Sequence, residues 1–145
     1  MKAEFPVNAV RLCIDGGSEN LRGRICATTL EQDLIFESPE ELIMQVEKAY
    51  DLIGRPQPHQ VMRSIRREAS DYNSYVGNPE RFHSSEEIRK RTGKLYTCDL
   101  VMVSRRHAEW QGILKLTDGG VIGQFNSVLE FIKLLGKQFE RSKER

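Results

Sequence analysis

The feature that most constrains the fold is an internal similarity between residues 10–54 and residues 99–143, which align without a gap at an offset of 89 residues. Seven aligned pairs are identical, and apolar positions recur in phase through both segments. The identical pairs are Gly23/Gly112, Thr28/Thr117, Phe36/Phe125, Ser38/Ser127, Glu41/Glu130, Ile43/Ile132 and Lys48/Lys137. Similarity at a fixed offset is the sequence signature of a repeated supersecondary unit. We therefore predict two copies of one folding unit.

Each copy ends in a segment with the signals of an amphipathic helix. In the first copy, residues 38–41 read Ser-Pro-Glu-Glu and supply a capping hydroxyl, a proline at the first helical position and a capping-box glutamate. Apolar residues follow at three- and four-residue spacing, and Gly54 is a stop signal. Residues 127–130 of the second copy, Ser-Val-Leu-Glu, repeat the capping box. Both copies are predicted to end in a helix.

Three strand-like runs precede each predicted helix, because apolar and polar residues alternate there. The runs are Val10–Ile14, Leu21–Ala27 and Asp33–Glu37 in the first copy, and Leu100–Val103, Trp110–Thr117 and Val121–Phe125 in the second. Residues 118–120, Asp-Gly-Gly, are typical of a hairpin turn. The pattern predicts an α+β fold of two tandem β-β-β-α units, whose antiparallel sheets are each covered by a helix.

The predicted division of the chain is a first β-β-β-α unit at residues 1–54, a polar basic insert at 55–94 and a second β-β-β-α unit at 95–145. A chain of 145 residues is long enough to bury one substantial core. We therefore expect the two units and the partly helical insert to form one compact domain.

Alternation along the strands separates an inner sheet face under each helix from an outer face, since successive side chains point to opposite sides. If Leu12 and Ile14 face the first helix, one outer face is basic and the matching face of the second unit is largely apolar. The first outer face then carries Arg11, Cys13, Arg22, Arg24, Cys26 and Thr28, and the second carries Leu100, Met102, Gln111, Ile113, Lys115 and Thr117.

Contiguous apolar patches are uncommon on the surface of monomers, so the second outer face is expected to be covered by the insert or by another chain. A homodimer is one such arrangement. Trp110 either packs under the helix, as its counterpart Leu21 should, or forms a binding platform beside the hairpin. The candidate interface residues are Leu100, Met102, Ile113 and Trp110.

The insert concentrates positive charge. His59–Glu68 is predicted to be a short amphipathic helix, Ala69–His83 a loop, and residues 84–87, Ser-Ser-Glu-Glu, a capping box that begins a second short helix ended by Gly93. Such a basic run is explained by a solvated helix face or by contacts to phosphate groups. Together with the basic outer face, the candidate nucleic-acid-binding residues are Arg11, Arg22, Arg24, Arg63, Arg66, Arg67, Arg89, Lys90 and Arg91.

The sequence contains no constellation that predicts catalysis, a cofactor or a metal site. The cysteines and histidines do not have the short spacing of structural zinc ligands, and two of the cysteines lie within strands, so reduced packing thiols are expected. These residues are Cys13, Cys26, Cys98, His59, His83 and His107. Among the loop residues, Asp71–Tyr75 is the segment best suited to bind a small ligand.

No apolar run approaches the about 18 residues of a membrane span, and the N-terminal residues lack the apolar stretch of a signal peptide. Together with the unpaired cysteines, this predicts a cytoplasmic protein. Acidic residues outnumber basic ones in residues 10–54, and basic residues outnumber acidic ones in residues 55–145. This asymmetry could join the two halves of the chain by long-range attraction.

Two resemblances arise from these motifs. The stretches Trp110–Leu116 and Gln124–Leu134 resemble a family of short uncharacterised bacterial proteins with a W-Q-G strand and an F-x-S-x-x-E-x-I helix start. The order of strand, Asp-Gly turn, strand, aromatic residue, hydroxyl cap and helix is similar to the arm-type DNA-binding domains of phage-type integrases. In that family the outer sheet face reads DNA through Arg and Lys, a role that Arg11, Arg22 and Arg24 would take here.

The sequence thus leads to a hypothesis of a non-enzymatic binding or regulatory module that acts through protein contacts. It is based on the duplicated unit, the apolar outer face and the lack of a catalytic constellation. The alternative is a nucleic-acid-binding protein that uses the outer face of the first unit and the basic insert. A third class, an enzyme with a site in residues 69–83, needs a deep pocket with convergent polar groups.

Overall fold

The computed structural model describes residues 5–16, 21–54, 80–106 and 109–143. Six strands form one antiparallel sheet with the order β3-β2-β1-β4-β5-β6, so β1 and β4 pair at its centre. The strands are β1 Ala9–Gly16, β2 Arg22–Cys26, β3 Leu34–Phe36, β4 Tyr96–Arg106, β5 Glu109–Leu116 and β6 Val121–Phe125. The helices are α1 Pro39–Ile53, α2 Ser85–Arg89 and α3 Val128–Lys143. The prediction of an α+β protein with antiparallel strands is confirmed.

The three predicted capping boxes are present, and their serines accept hydrogen bonds from the glutamate amides. The distance from the glutamate N to the serine Oγ is 3.1 Å for Glu41 and Ser38, 3.0 Å for Glu87 and Ser84, and 3.1 Å for Glu130 and Ser127. At the other end of α1, Gly54 adopts the left-handed conformation with φ of 83° and donates its N–H to the carbonyl of Tyr50. Local sequence therefore sets the bounds of α1.

The predicted hairpin turn between β5 and β6 is also present. Gly119 has a φ of 96°, which an L side chain rarely adopts, and the Gly120 amide donates to Asp118 Oδ1 at 2.8 Å. The Asp-Gly-Gly sequence supplies both requirements of this turn: a short side-chain acceptor and a residue free to take positive φ.

The prediction for β4 was wrong in length and in the direction of its side chains. Cross-strand pairing puts Ile25 opposite Leu12 and Leu114 opposite Leu100, so Leu100 has the position in its half of the sheet that Leu12 has in the other. The equivalent positions here are 88 residues apart, one fewer than the gapless alignment assumed. A one-residue slip exchanges the two faces of a strand.

The reason for the slip lies in the hairpins. Ile14 pairs with Gly23, whereas Met102 pairs with Gly112, so the connection from β4 to β5 is one residue longer than the connection from β1 to β2. Val103 lies in a register shift of the β4–β5 ladder. Leu100 and Met102 therefore point to the inner face and are fully buried, contrary to the sequence-based assignment to the outer face.

Helices α1 and α3 pack on the inner face and share one hydrophobic core with the strands. Two buried tyrosines tie this layer to the sheet. Tyr50 of α1 donates its hydroxyl hydrogen towards the carbonyl oxygens of Asn8 and Leu100, at 2.9 and 3.1 Å. Tyr96 of β4 donates to the carbonyl of Leu135 in α3, at 3.0 Å. A hydrogen bond from a buried tyrosine hydroxyl therefore links each helix to strand β4.

The short helix α2 covers the outer face over β1. It ends at Arg89, earlier than the predicted stop at Gly93. Gly93 itself lies against β1. A Cβ on Gly93 would lie 2.3 Å from the backbone N of Ile14, so only glycine permits this approach. The backbone N of Leu95 then donates to the carbonyl of Ile14 and leads the chain into β4.

None of the described helices is long and apolar enough to cross a membrane. Several sequence-based predictions lie outside the described residues. These are the helix at His59–Glu68, the segment Asp71–Tyr75, the residues Arg63, Arg66 and Arg67, and His107.

Candidate functional site

A buried ion pair lies at the centre of the outer face. Arg11 of β1 and Asp99 of β4 face each other across the central ladder, and two guanidinium nitrogens contact the two carboxylate oxygens at 2.8 and 3.0 Å. The remaining nitrogen donates to the carbonyls of Ile88 and Arg89, at 3.3 and 2.9 Å. Arg11 therefore holds the end of α2 on the sheet through a bidentate pair and two backbone bonds.

The ring of Phe5 lies 5.8 Å from the guanidinium carbon of Arg11, and Arg11 is only 3% exposed. Desolvation by this burial lowers the pKa of Arg11, and the hydrogen bond and charge of Asp99 raise it; the net effect is a pKa above the ordinary value. Arg11 stays charged, and its donors are used within the chain. Its role as a nucleic-acid contact stays a prediction, and in this structure the guanidinium is buried and already paired within the chain.

A groove opens beside this ion pair, where α2 stops covering the sheet. It consists of two clefts of about 500 and 300 Å³ that share Arg11, Arg89, Leu116 and Thr117 and so form one continuous depression. Its lining includes residues of β4 from Tyr96 to Val101, and at the Tyr96 end of the strand it extends to Gln138 of α3. At a rise of about 3.3 Å per residue, this stretch of β4 is about 17 Å long, the length of an extended segment of about six residues.

The two ends of the groove differ in chemistry. One end is apolar, with Phe5, Pro6, Ala9 and Val101 in its walls. The other end is polar. It is lined by Thr92, Thr97, Thr117, Asp118 and Gln138.

Positive charge lies between the two ends. Arg89 and Lys115 line the middle of the groove with the Arg11–Asp99 pair, whose charges offset each other. Lys115 stands opposite Asp99 in the β4–β5 ladder, is partly exposed, and makes no ion pair with the residues that the structure describes. The middle of the groove is therefore suited to a negatively charged group.

The other candidate nucleic-acid residues are spread over several environments. Arg24 contacts Asp15 at 3.3 Å and donates to the carbonyl of Thr92, and Arg91 contacts Asp33 and Glu87. Arg22 and Lys90 are exposed, and Arg89 lines the groove. The structure thus brings Arg22, Arg24 and Lys94 to one shallow cleft of about 290 Å³ and does not join them to Arg89.

The candidate interface residues are also divided. Leu100, Met102 and Trp110 are fully buried, and Trp110 packs edge-on against Phe131 with its ring centre 5.3 Å away, so these three side chains have no surface to offer a partner. Ile113 lies on the outer face and is partly buried. The exposed apolar side chains that the sequence missed include Val103 and Val121, at 61% and 60% exposure. Homodimerisation through the outer face stays a prediction.

The three cysteines are buried and free, and no group of three metal-ligating side chains occurs among the described residues. The sulfurs of Cys13 and Cys26 are 3.9 Å apart across the β1–β2 pair. The hydrogen bond between them lowers the pKa of Cys13 and raises that of Cys26, while burial raises the pKa of Cys98. A nucleophilic role would require a thiol that a substrate can reach, and these thiols lie in the core.

Comparison with protein-family models, with curated proteins and with solved structures finds no match to this chain. The two family resemblances of the sequence therefore stay predictions, and the groove has to be interpreted from its own chemistry.

Proposed function

We propose that this protein is a non-enzymatic binding module that takes an extended, acidic segment of a partner protein in the outer-face groove. The observation that carries this proposal is the combination of length and charge: a continuous groove along β4 with Lys115 at its middle. An extended segment suits a depression that runs parallel to a strand. A carboxylate in that segment would reach Lys115, which lies on a sheet already fixed by the Arg11–Asp99 pair.

The apolar end of the groove adds a second contact for the partner. Pro6 is exposed and Val101 partly exposed at this end, and the amide of the buried Phe5 donates to Ser85 Oγ at 2.8 Å, so this wall is ordered before a partner arrives. A preformed wall reduces the ordering cost of binding. The proposed segment therefore carries an apolar residue next to an acidic one.

Selection from a displayed library of random ten-residue peptides tests this function. We expect acidic peptides with a neighbouring apolar residue to be enriched, and we expect Lys115→Glu to weaken their binding at least about tenfold, because attraction becomes repulsion. Lys133→Glu, an exposed charge reversal on α3 outside the groove, is the matched control and should leave the affinity unchanged. Fluorescence anisotropy measures both. Enrichment of no peptide, or binders indifferent to Lys115→Glu, would reject the proposal.

Nucleic-acid binding is the alternative, and the support for it is the cleft that Arg22, Arg24 and Lys94 share. Asp15 and Glu37 line the same cleft and reduce its positive charge. If this alternative holds, single-stranded and duplex DNA or RNA should bind at low salt, with an affinity that falls steeply as salt rises and that Arg22→Glu reduces. Absence of binding at low salt would exclude it.

The duplication of the β-β-β-α unit is part of the same proposal. It is supported by the strand order, in which each half of the sheet runs outward from the central β1–β4 pair to a third strand and then to a helix. Arg11 and Asp99 lie where the two halves meet. Under this proposal the two halves of the sheet share the apolar pattern of their inner faces. The peptide-binding groove developed on the outer face.

The cytoplasm is the proposed location. All three cysteines are free although two of their sulfurs lie 3.9 Å apart, which suits a reducing compartment.

A further inference from the structure

A second pocket, separate from the groove, lies between α1 and the connection from β2 to β3. Its volume is about 300 Å³, at the lower end of the range for small-molecule sites. Leu30, Leu34, Leu52 and Phe82 form the apolar part of its walls, and the polar part is formed by Thr29, Glu31, Gln32 and Lys48. No residue of this pocket lines the groove.

Two large apolar side chains at this pocket are held partly in solvent. Leu52 of α1 is 63% exposed and Phe82 is 43% exposed. The backbone at Phe82 is fixed, because its amide donates to the carbonyl of Thr28 at 2.7 Å and the next amide, of His83, donates to the same oxygen. These bonds hold one wall of the pocket against the connection from β2 to β3.

The pocket also contains an unsatisfied polar group. Thr29 is 5% exposed and lines the pocket, and its Oγ1 is buried without a hydrogen-bond partner among the described residues. A buried hydroxyl without a partner destabilises a fold, and such groups are rare in native structures. The neighbouring Thr28 shows the ordinary arrangement, since its hydroxyl accepts a hydrogen bond from Arg81.

We propose that this pocket binds a small ligand with a ring-sized apolar body and one hydrogen-bonding group, which pairs with Thr29 Oγ1. The apolar walls would enclose the ring, and the exposed edges of Leu52 and Phe82 would close over its rim. This site is independent of the proposed peptide groove, because the two share no lining residue.

Titration of the full-length protein with p-cresol and with toluene, followed by two-dimensional amide NMR, tests this proposal. We expect saturable shifts at Leu30 and Leu34 with both probes. Thr29→Val keeps the shape of the side chain and removes the hydroxyl, so it should weaken p-cresol about fivefold and leave toluene unchanged. Equal p-cresol affinity in wild type and Thr29→Val, or no saturable shift with either probe, would overturn the proposal.

Two further variants separate binding from folding. Leu52→Glu places a charge at the rim and should weaken both probes at least about tenfold. Met44→Glu changes an equally exposed apolar residue of α1 that does not line the pocket, and it should have no effect on binding. Without ligand, Thr29→Val should raise the melting temperature by about 3 °C or more, because an unpaired hydroxyl is removed. A lower melting temperature would show that the hydroxyl is already paired, and the proposed site would fail.

Discussion

Replacing Asp99 by leucine is expected to lower the free energy of unfolding by about 3–5 kcal/mol, because it leaves the buried Arg11 guanidinium without its counter-charge. The Asp99 side chain is 16% exposed and that of Arg11 is 3% exposed, so water cannot take over the lost contacts. Total stabilities of about 5–15 kcal/mol make this a large fraction of the whole. Urea denaturation followed by circular dichroism measures the change.

A double-mutant cycle tests whether the unpaired charge of Arg11 causes this loss of stability. Arg11→Met combined with Asp99→Leu removes both charges, and the double variant should be more stable than Asp99→Leu alone by about 2 kcal/mol or more. Glu140→Ala, an exposed substitution on α3, is the control and should change stability by less than about 0.5 kcal/mol. If the effects of the two single substitutions simply add, the ion pair does not hold the centre of the sheet.

The second large effect concerns the contact between α1 and the β4–β5 hairpin. Arg105 is buried on the inner face and its Nη1 contacts Glu47 at 2.7 Å and Asp51 at 3.0 Å. Glu47 also accepts the indole N–H of Trp110. Glu47→Ala should therefore lower the free energy of unfolding by about 3 kcal/mol, since it removes a carboxylate partner of the buried Arg105 cation and the acceptor of the buried indole N–H.

Two other substitutions are compared with Glu47→Ala. Glu47→Gln leaves one carbonyl oxygen for two donors and removes the negative charge beside Arg105, so it should cost nearly as much as Glu47→Ala. Asp51→Ala removes the more exposed carboxylate, 63% exposed, and should cost less than about 1 kcal/mol. Chemical denaturation with matched baselines compares all three. An effect of Asp51→Ala as large as that of Glu47→Ala would contradict the assignment of Glu47 as the central partner.

Much of the fold could be predicted from local sequence. The capping boxes at Ser38, Ser84 and Ser127, the stop at Gly54 and the turn at residues 118–120 all act over four residues or fewer, so their physics is contained in the sequence around them. The strands were recognised by alternation for the same reason. These elements have the predicted type and, except for β4 and α2, nearly the predicted bounds.

The candidate sites could not be predicted in this way. The assignment of Leu100 and Met102 to the outer face failed because one extra residue in the β4–β5 hairpin inverts the strand, and no local pattern reports the pairing register. The groove and the second pocket depend on where α2 and Phe82 dock, and these contacts join residues more than 50 positions apart. Thr29 gave no signal in the sequence, since its unpaired hydroxyl is visible only once the surrounding residues are in place.

The sequence by itself determined the local elements and the alternation of their side chains, because those follow from neighbouring residues. Only the tertiary structure decided what the arginines do. Arg11 and Arg24 were both predicted to lie on one basic outer face, but pairing across strands buries Arg11 against Asp99 and leaves Arg24 partly exposed beside Asp15. A charge becomes structural or available for binding according to its burial and its partner, and both are properties of the folded chain.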